Sequence, residues 1–181
     1  LTVCIGEGLK FKIRNAALSS DSEKVVVDWG DGTTEEYYSN LIGVEHNYPK
    51  EGVYLIRFSD ALRQIGVGYN SADSEYTSIF APMVLGFFSN ATRLAMLHTY
   101  AFCNCVNLQD FDVSAAPVMT ISTSALKNCS SLEGALRFPF VITIHGGETS
   151  MPFMGCGKVT ELHFGEANEE IITTLPVWEA S

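Results

Sequence analysis

Cysteine, histidine and aspartate are the residues of this chain best suited to chemistry, and their spacing limits what they can do. Five cysteines stand at Cys4, Cys103, Cys105, Cys129 and Cys156. An odd count argues against a fully paired disulfide framework. The paired C-x-x-C spacing of thiolate zinc sites is absent. Cys105, Cys129 and Cys156 recur at intervals of 24 and 27 residues. Such a recurrence suits a file of buried free thiols, which pack as small hydrophobes, better than convergence on one metal. His46, His98, His145 and His163 fall in no recognised ligand spacing. No G-x-S-x-G elbow offers a nucleophilic serine, and a Cys–His pair would have no organising motif around it. Asp28 and Asp31 flank hairpin glycines and could lend oxygens to calcium, but that ion takes six or more. An Asp31 carboxylate bonded to its own turn is the simpler reading. Gly6-x-Gly8 is too short for a phosphate loop and lacks a following helix. Asn90-Ala91-Thr92 and Asn128-Cys129-Ser130 match the glycosylation sequon and are read as coincidences of turn sequence. The chain is therefore expected to be non-catalytic, without cofactor or bound metal.

The elements that would position these residues must come from 181 residues, 46% of them hydrophobic and 18% charged. That is enough apolar material for packed cores and too little charge for a disordered chain. The net charge of −10 repels phosphates, and no basic stripe offsets it, which argues against nucleic-acid binding. Apolar runs such as Phe138–Ile144 fall far short of the ~20 residues that span a bilayer, so no transmembrane helix is expected. Leu1-Thr2-Val3-Cys4 has a faint likeness to a lipoprotein cleavage box, but Val3 is too bulky for it and Cys4 reads as a strand residue.

Residues 1–70 read as short strands punctuated by turns. Phe11–Arg14 alternates with period two, and Val25–Val27 runs into Trp29. Gly30-Asp31-Gly32 supplies the positive φ of a tight hairpin, after which Thr33–Tyr38 resumes as a strand. Pro49-Lys50-Glu51-Gly52 makes another turn before the β-forming run Val53–Phe58. The order of Val27-Asp28-Trp29-Gly30-Asp31-Gly32, His46-Asn47-Tyr48 and Gly52-Val53-Tyr54-Leu55-Ile56 resembles the PKD domain pattern over residues 1–68. That resemblance implies an immunoglobulin-like β-sandwich serving as a spacer or adhesion module, with His46 bonded to the nearby turn. The short loop between Gly32 and His46, and a first strand without a clear signature, depart from the pattern.

Residues 71–181 follow a different grammar, a repeat. Ala101-Phe102-Cys103-Asn104-Cys105-Val106-Asn107-Leu108 matches Ala125-Leu126-Lys127-Asn128-Cys129-Ser130-Ser131-Leu132 and Pro152-Phe153-Met154-Gly155-Cys156-Gly157-Lys158-Val159. Phe87–Leu94 is a weaker copy, only 14 residues ahead of Leu108. A second register, Ala81-Pro82-Met83-Val84, Ala116-Pro117-Val118-Met119 and Phe138-Pro139-Phe140-Val141, precedes the boxes. A unit thus reads as a strand from its Leu, a proline, a second extended run, and a turn or short helix ending in x-Cys-x-x-Leu. This resembles the BspA-like leucine-rich repeat, which implies a short solenoid of three to four units on a bacterial surface protein. Leu126 in place of Phe and the longer unit carrying Gly146–Ser150 depart from it. Stacking would put Phe102, Leu126 and Phe153 in one file and the three recurring cysteines in another. Glu169-Glu170 and Pro176-Val177-Trp178 leave open a polar cap or a continuing array.

The expected fold is β-rich and two-domain, an immunoglobulin-like sandwich over 1–70 followed by a leucine-rich-repeat solenoid over 71–181. Repeat arrays bind through a broad strand face. Alternation points Leu108, Phe111 and Val113 inward and leaves Gln109, Asp110 and Asp112 outward. It likewise leaves Glu133 and Arg137 outward in the middle unit and Thr160, Glu161 and His163 in the next. The face reads as acidic, which favours a basic or calcium-bridged protein partner. Adhesion or protein interaction at a cell surface, or in secretion, is the leading role. A self-assembling segment of a larger surface particle and an accessory module of an extracellular enzyme stay open, as do the oligomeric state and the identity of the protein or host-surface ligand.

Overall fold

The computed structural model describes residues 1–20, 23–69, 75–147 and 149–165, and the backbone of Ile171–Thr173. Among them nearly all regular structure is β, with short helical turns only at Tyr76–Phe80 and Ala81–Met83. No helix of these residues is long and apolar enough to cross a membrane. The carboxy-terminal part is a β-solenoid of about 3 turns.

The amino-terminal strands are β1 (Thr2–Ile5), β2 (Lys10–Leu18), β3 (Val25–Asp28), β4 (Thr34–Tyr37), β5 (Leu41–Asn47), β6 (Gly52–Leu55), β7 (Arg57–Phe58) and β8 (Leu62–Gly66). In β2 and β3 the alternation works as sequence requires, with Phe11, Ile13, Val25 and Val27 buried and their neighbours part-exposed. The hairpin joining β3 to β4 turns on Gly30 and Gly32, at φ of 82° and 96°. A Cβ on Gly30 would also stand 2.7 Å from the Leu55 carbonyl oxygen, so only glycine fits there. The run Val53–Phe58, read as one strand, is divided. β6 pairs antiparallel with β1, Ile56 exchanges both backbone bonds with Leu1, and β7 then crosses to pair with β3.

The later strands are β9 (Val84–Phe88), β10 (Met96–Leu97), β11 (Asp110–Asp112), β12 (Thr120–Ile121), β13 (Glu133–Phe138), β14 (Thr143–Ile144), β15 (Lys158–Phe164) and β16 (Ile171–Thr173). Two sheets run from the first group into the second. One orders as β5-β2-β8-β10-β12-β14, changing from antiparallel to parallel at β8. The other orders as β6-β1-β9-β11, with β9 antiparallel to β1 and parallel to β11. β13, β15 and β16 form a further sheet, and β3, β4 and β7 another. Apolar side chains from Val3, Phe11 and Trp29 through to Phe102, Leu126 and Cys156 form one contiguous core.

The boxes form a third wall. Phe102 and Asn104 donate their N–H groups to Ala125 and Lys127, and Leu126 and Asn128 donate theirs to Pro152 and Met154. Phe102, Leu126 and Phe153 are buried in equivalent positions, as are Cys105, Cys129 and Cys156. Asn104, Asn128 and Gly155 each end a box turn in the left-handed region, at φ of 63°, 63° and 79°. Asparagine tolerates that conformation, and its amide is used: Asn128 Nδ2 donates to Asn104 Oδ1, and Asn104 Nδ2 to the Tyr69 carbonyl, both at 2.8 Å. At Gly155 a Cβ would lie 2.5 Å from Asn128 Oδ1. The Asn128 amide of the sequon is thus engaged inside the stack.

Two parts of the repeat alignment are corrected. Phe87–Leu94 does not stand in the box position; Val67–Tyr69 does, donating to Ala101 and Cys103. Phe87 and Phe88 belong instead to β9, whose other edge is held by β1. Likewise Pro82 leads into β9, whereas Pro117 and Pro139 precede β12 and β14 in the opposite sheet. The first turn therefore borrows strands from the amino-terminal half, which spacing along the chain does not reveal. The reading of Glu169-Glu170 and Pro176–Trp178 lies outside the described residues.

Candidate functional site

The motif residues of the amino-terminal half build a packed cluster. Trp29, fully buried, stacks on His46 at 4.5 Å between ring centroids, and His46 meets the edge of Tyr48 at 4.7 Å. Asp31 Oδ1 accepts from the Thr33 N–H at 2.9 Å and the Thr33 hydroxyl at 2.6 Å, while Oδ2 bonds His46 Nε2 at 2.9 Å. Asp28 Oδ1 accepts from the Gly30 N–H, and Oδ2 lies 3.4 Å from Arg57. The oxygens proposed for calcium are thus engaged by the hairpin and its neighbours. Burial works against ionisation of Asp31, whose side chain is 3% exposed, but the bonds from Thr33 and His46 outweigh it and hold the carboxyl at about 2. A carboxylate depressed by folding contributes stability above its unfolded pKa and loses it as pH falls towards the folded value. Asp31→Asn should therefore cost roughly 2 kcal/mol at pH 7, with most of that difference from the parent vanishing between about pH 4 and pH 2 in urea titrations.

The thiols are set for packing. Burial pushes Cys103 up to about 11 and holds Cys105 and Cys129 well above the ordinary thiol value. Cys129 Sγ donates to the Phe102 carbonyl at 3.1 Å, and Cys156 Sγ to that of Leu126 at 3.0 Å. Cys103, Cys105 and Cys129, held protonated by burial, are weak nucleophiles and weak metal ligands, whereas the bond to Cys129 draws the Cys156 thiol below its ordinary value against its own burial. Among the described residues no group of three or more His, Cys, Asp or Glu is arranged to hold a metal ion.

The residues expected on the outward strand face divide between two sheets. Gln109, Asp110 and Asp112 are exposed on and beside β11, while Leu108 and Val113 are buried and Phe111 is half-buried. Glu133, Arg137, Thr160 and Glu161 are exposed on β13 and β15. His163 faces the same way but is only 13% exposed, bonded to Glu161 at 2.8 Å, with β16 beside it in register. Register places Glu133 next to Lys158 and Arg137 next to His163. The acidic character expected of the whole face is therefore confined to β11, and the β13–β15 portion is mixed in charge.

Sequence reasoning missed what lies on the other side of β11. Val53 and Leu55 of β6 and Phe88 of β9 are exposed at 63%, 44% and 62%. The pairings Cys4↔Val53, Thr2↔Leu55, Thr2↔Gly86 and Phe88↔Asp112 put them on one surface with the β11 carboxylates. The signal was present in Phe87-Phe88 and in Val53–Ile56, runs too continuous in apolar residues for a strand covered on one side only. A groove of about 680 Å³ opens in this sheet, walled by Arg57–Ser59 on one side and Phe87–Ser89 on the other, floored by Leu62, Ile65 and Leu94, and rimmed by Asp110 and Asp112. It is built jointly by the amino-terminal strands and the solenoid. A concave, largely apolar site with a few polar groups at its rim is suited to holding a ligand by shape and selecting it by charge. The chain matches no family model, no curated protein and no solved structure, so its function is read from this geometry alone.

Proposed function

We propose that the chain is a non-catalytic interaction module of a secreted or cell-surface protein, an immunoglobulin-like sandwich of PKD type leading into BspA-like leucine-rich repeats, and that it engages a protein partner. The observation that carries this reading is the surface where exposed Val53, Leu55 and Phe88 adjoin the carboxylates of Asp110 and Asp112 around a groove. Apolar side chains grouped beside polar ones on an otherwise charged protein mark an interaction site more often than a bare surface. Carboxylates on one edge select for a partner that presents basic groups there. The raised thiols and the engagement of His46 by Asp31 support a structural rather than catalytic use of the reactive side chains.

Alanine replacement of Asp110 and Asp112 together should leave the fold intact, since both are exposed, and slow association with the partner by about tenfold or more at low salt, the effect shrinking as salt rises. Surface plasmon resonance against proteins captured on the intact chain measures it. Association rates unchanged at low salt would reject the acidic face as the contact surface.

A further inference from the structure

A short basic row runs along one strand of this acidic protein. In β2 the alternation that buries Phe11 and Ile13 turns Lys10, Lys12 and Arg14 to the other side. Two of the three are answered by carboxylates. Lys10 Nζ lies 3.2 Å from Glu45 and 3.8 Å from Glu75, and Lys12 Nζ lies 3.5 Å from Glu75. Arg14 has no acidic partner among the described residues. Its Nη1 donates to the Thr99 carbonyl at 3.3 Å, and its guanidinium lies over the Tyr69 ring, 4.3 Å from the centroid. Its Nε is closed to solvent and bonds nothing. The cation is thus fixed from two sides in a half-buried place, with a desolvation cost that an anion would offset.

The space beside Arg14 comes from a glycine. Arg14 falls between the pairs Ile13↔Val44 and Asn15↔Ile42, so the residue opposite it on β5 is Gly43. Gly43 sits at φ of 65°, where glycine is favoured, and presents no side chain. A shallow depression of about 380 Å³ is left there, lined by Lys12, Arg14, Asn15, Ile42, Gly43 and Tyr69. None of these is acidic. Asn15 brings an amide that can donate, and Ile42, 73% exposed, brings apolar surface beside the Tyr69 ring. Lys127 is the next cation on this side; it donates to the Thr149 carbonyl and acts together with Arg14 on the Cys103 thiol. With Lys12 tied to Glu75, the lining carries one unanswered positive charge, on a planar fork.

We propose that this depression is a carboxylate-binding site, in which Arg14 and Asn15 hold the acidic group of a ligand beside Tyr69 and Ile42. One unanswered charge suits a singly charged carboxylate better than a phosphate dianion. The guanidinium fork matches the two carboxylate oxygens, and its fixing by Thr99 and Tyr69 leaves less freedom to lose on binding. Ile42 offers contact to an aliphatic stem, which a glutamate side chain has and acetate lacks. The site lies on β2 and β5, in the sheet that does not contain β11. It therefore stands or falls separately from the contact surface at Asp110 and Asp112.

The test titrates the whole nitrogen-labelled chain with a capped Ala-Glu-Leu tripeptide, following the Arg14 Nε–H resonance and the Tyr69 ring signals by NMR. Both should move and saturate in the low millimolar range, and a capped Ala-Gln-Leu peptide should bind at least about fivefold more weakly. Sodium acetate distinguishes the sources. Tighter binding of the Glu peptide assigns the site to an acidic side chain of a peptide segment, equal binding assigns it to a free small acid, and either supports a carboxylate site. Arg14→Lys keeps the charge without the fork and should weaken binding by about fivefold or more, while Arg14→Gln should abolish it. A Trp29 indole signal at the parent's position shows that both variants are folded. Equal binding of the Glu and Gln peptides, or an unmoved Arg14 resonance at about 20 mM peptide, overturns the proposal. Inorganic phosphate bound more tightly than either carboxylate overturns it too. Asp73→Asn tightening the peptide by about tenfold would make the chain's own carboxylate the occupant and overturn an external one.

Discussion

Gly68→Ala should be among the most damaging single-methyl additions in this protein, costing about 3 kcal/mol or more. Gly68 follows β8 and donates its N–H to the Ala101 carbonyl at 2.8 Å, beside the bond from Val67 to the same oxygen at 2.7 Å. A Cβ there would fall inside van der Waals contact of the Cys103 nitrogen and the Phe102 carbonyl carbon. Both are backbone atoms locked into the box ladder, so they cannot swing aside as a flexible side chain would. Residues 67–69 serve as the first layer of that ladder, and the solenoid would have to peel away from its own starting template. Thermal unfolding should show a drop of about 6–12 °C in Tm at this chain length. Gly6→Ala makes the control, because nothing lies within 4 Å of a Cβ there. A Gly68→Ala protein melting with the parent would mean that the two halves do not meet at this seam.

Phe102→Ala should cost about 3–5 kcal/mol, as expected of a large aromatic removed from a site that cannot collapse. The ring is fully buried, 4.8 Å from Phe87 and 5.3 Å from Phe111 between centroids. Phe87 and Phe88 are consecutive residues of β9, so the cavity opens directly beneath the strand that walls the groove. Loss of stability in urea and loss of partner binding should therefore appear together in this variant. Leu126→Ala, one layer further along the stack, should cost about 2–5 kcal/mol with a smaller effect on binding. Equal losses of binding in the two variants would disconnect the groove from the packing beneath it.

The repeat was legible wherever its periodicity is carried by residues with a strict local requirement. Cys105, Cys129 and Cys156 mark the buried file, and Asn104, Asn128 and Gly155 mark the left-handed turn, because few side chains suit either place. The hairpin was legible for the same reason, from Gly30 and Gly32. What spacing could not show is which strands pair across long separations. β8 meets β10 and β1 meets β9 through contacts 30 or more residues apart in the chain, and no local residue type announces them. The first repeat layer was misplaced on Phe87–Leu94 for that reason, although Val67–Tyr69 fills it. The candidate site suffered in the same way. Alternation located Gln109, Asp110 and Asp112, but their apolar companions Val53, Leu55 and Phe88 come from elements that only the shared sheet brings near.

Because the groove has one wall in each half, it exists only if the two sheets pass unbroken from the amino-terminal strands into the solenoid. Equilibrium unfolding in urea tests this most directly, in a Cys4→Ser, Trp178→Phe background. There Trp29 fluorescence reports the first half, and labelling of the four buried thiols, Cys103, Cys105, Cys129 and Cys156, reports the second, the exposed thiol having been removed. A contiguous core should give coincident transitions with one midpoint and one slope. Cysteine labelling complete at a urea concentration where Trp29 is still native would show two independent bodies, and a groove spanning them could not be a preformed site.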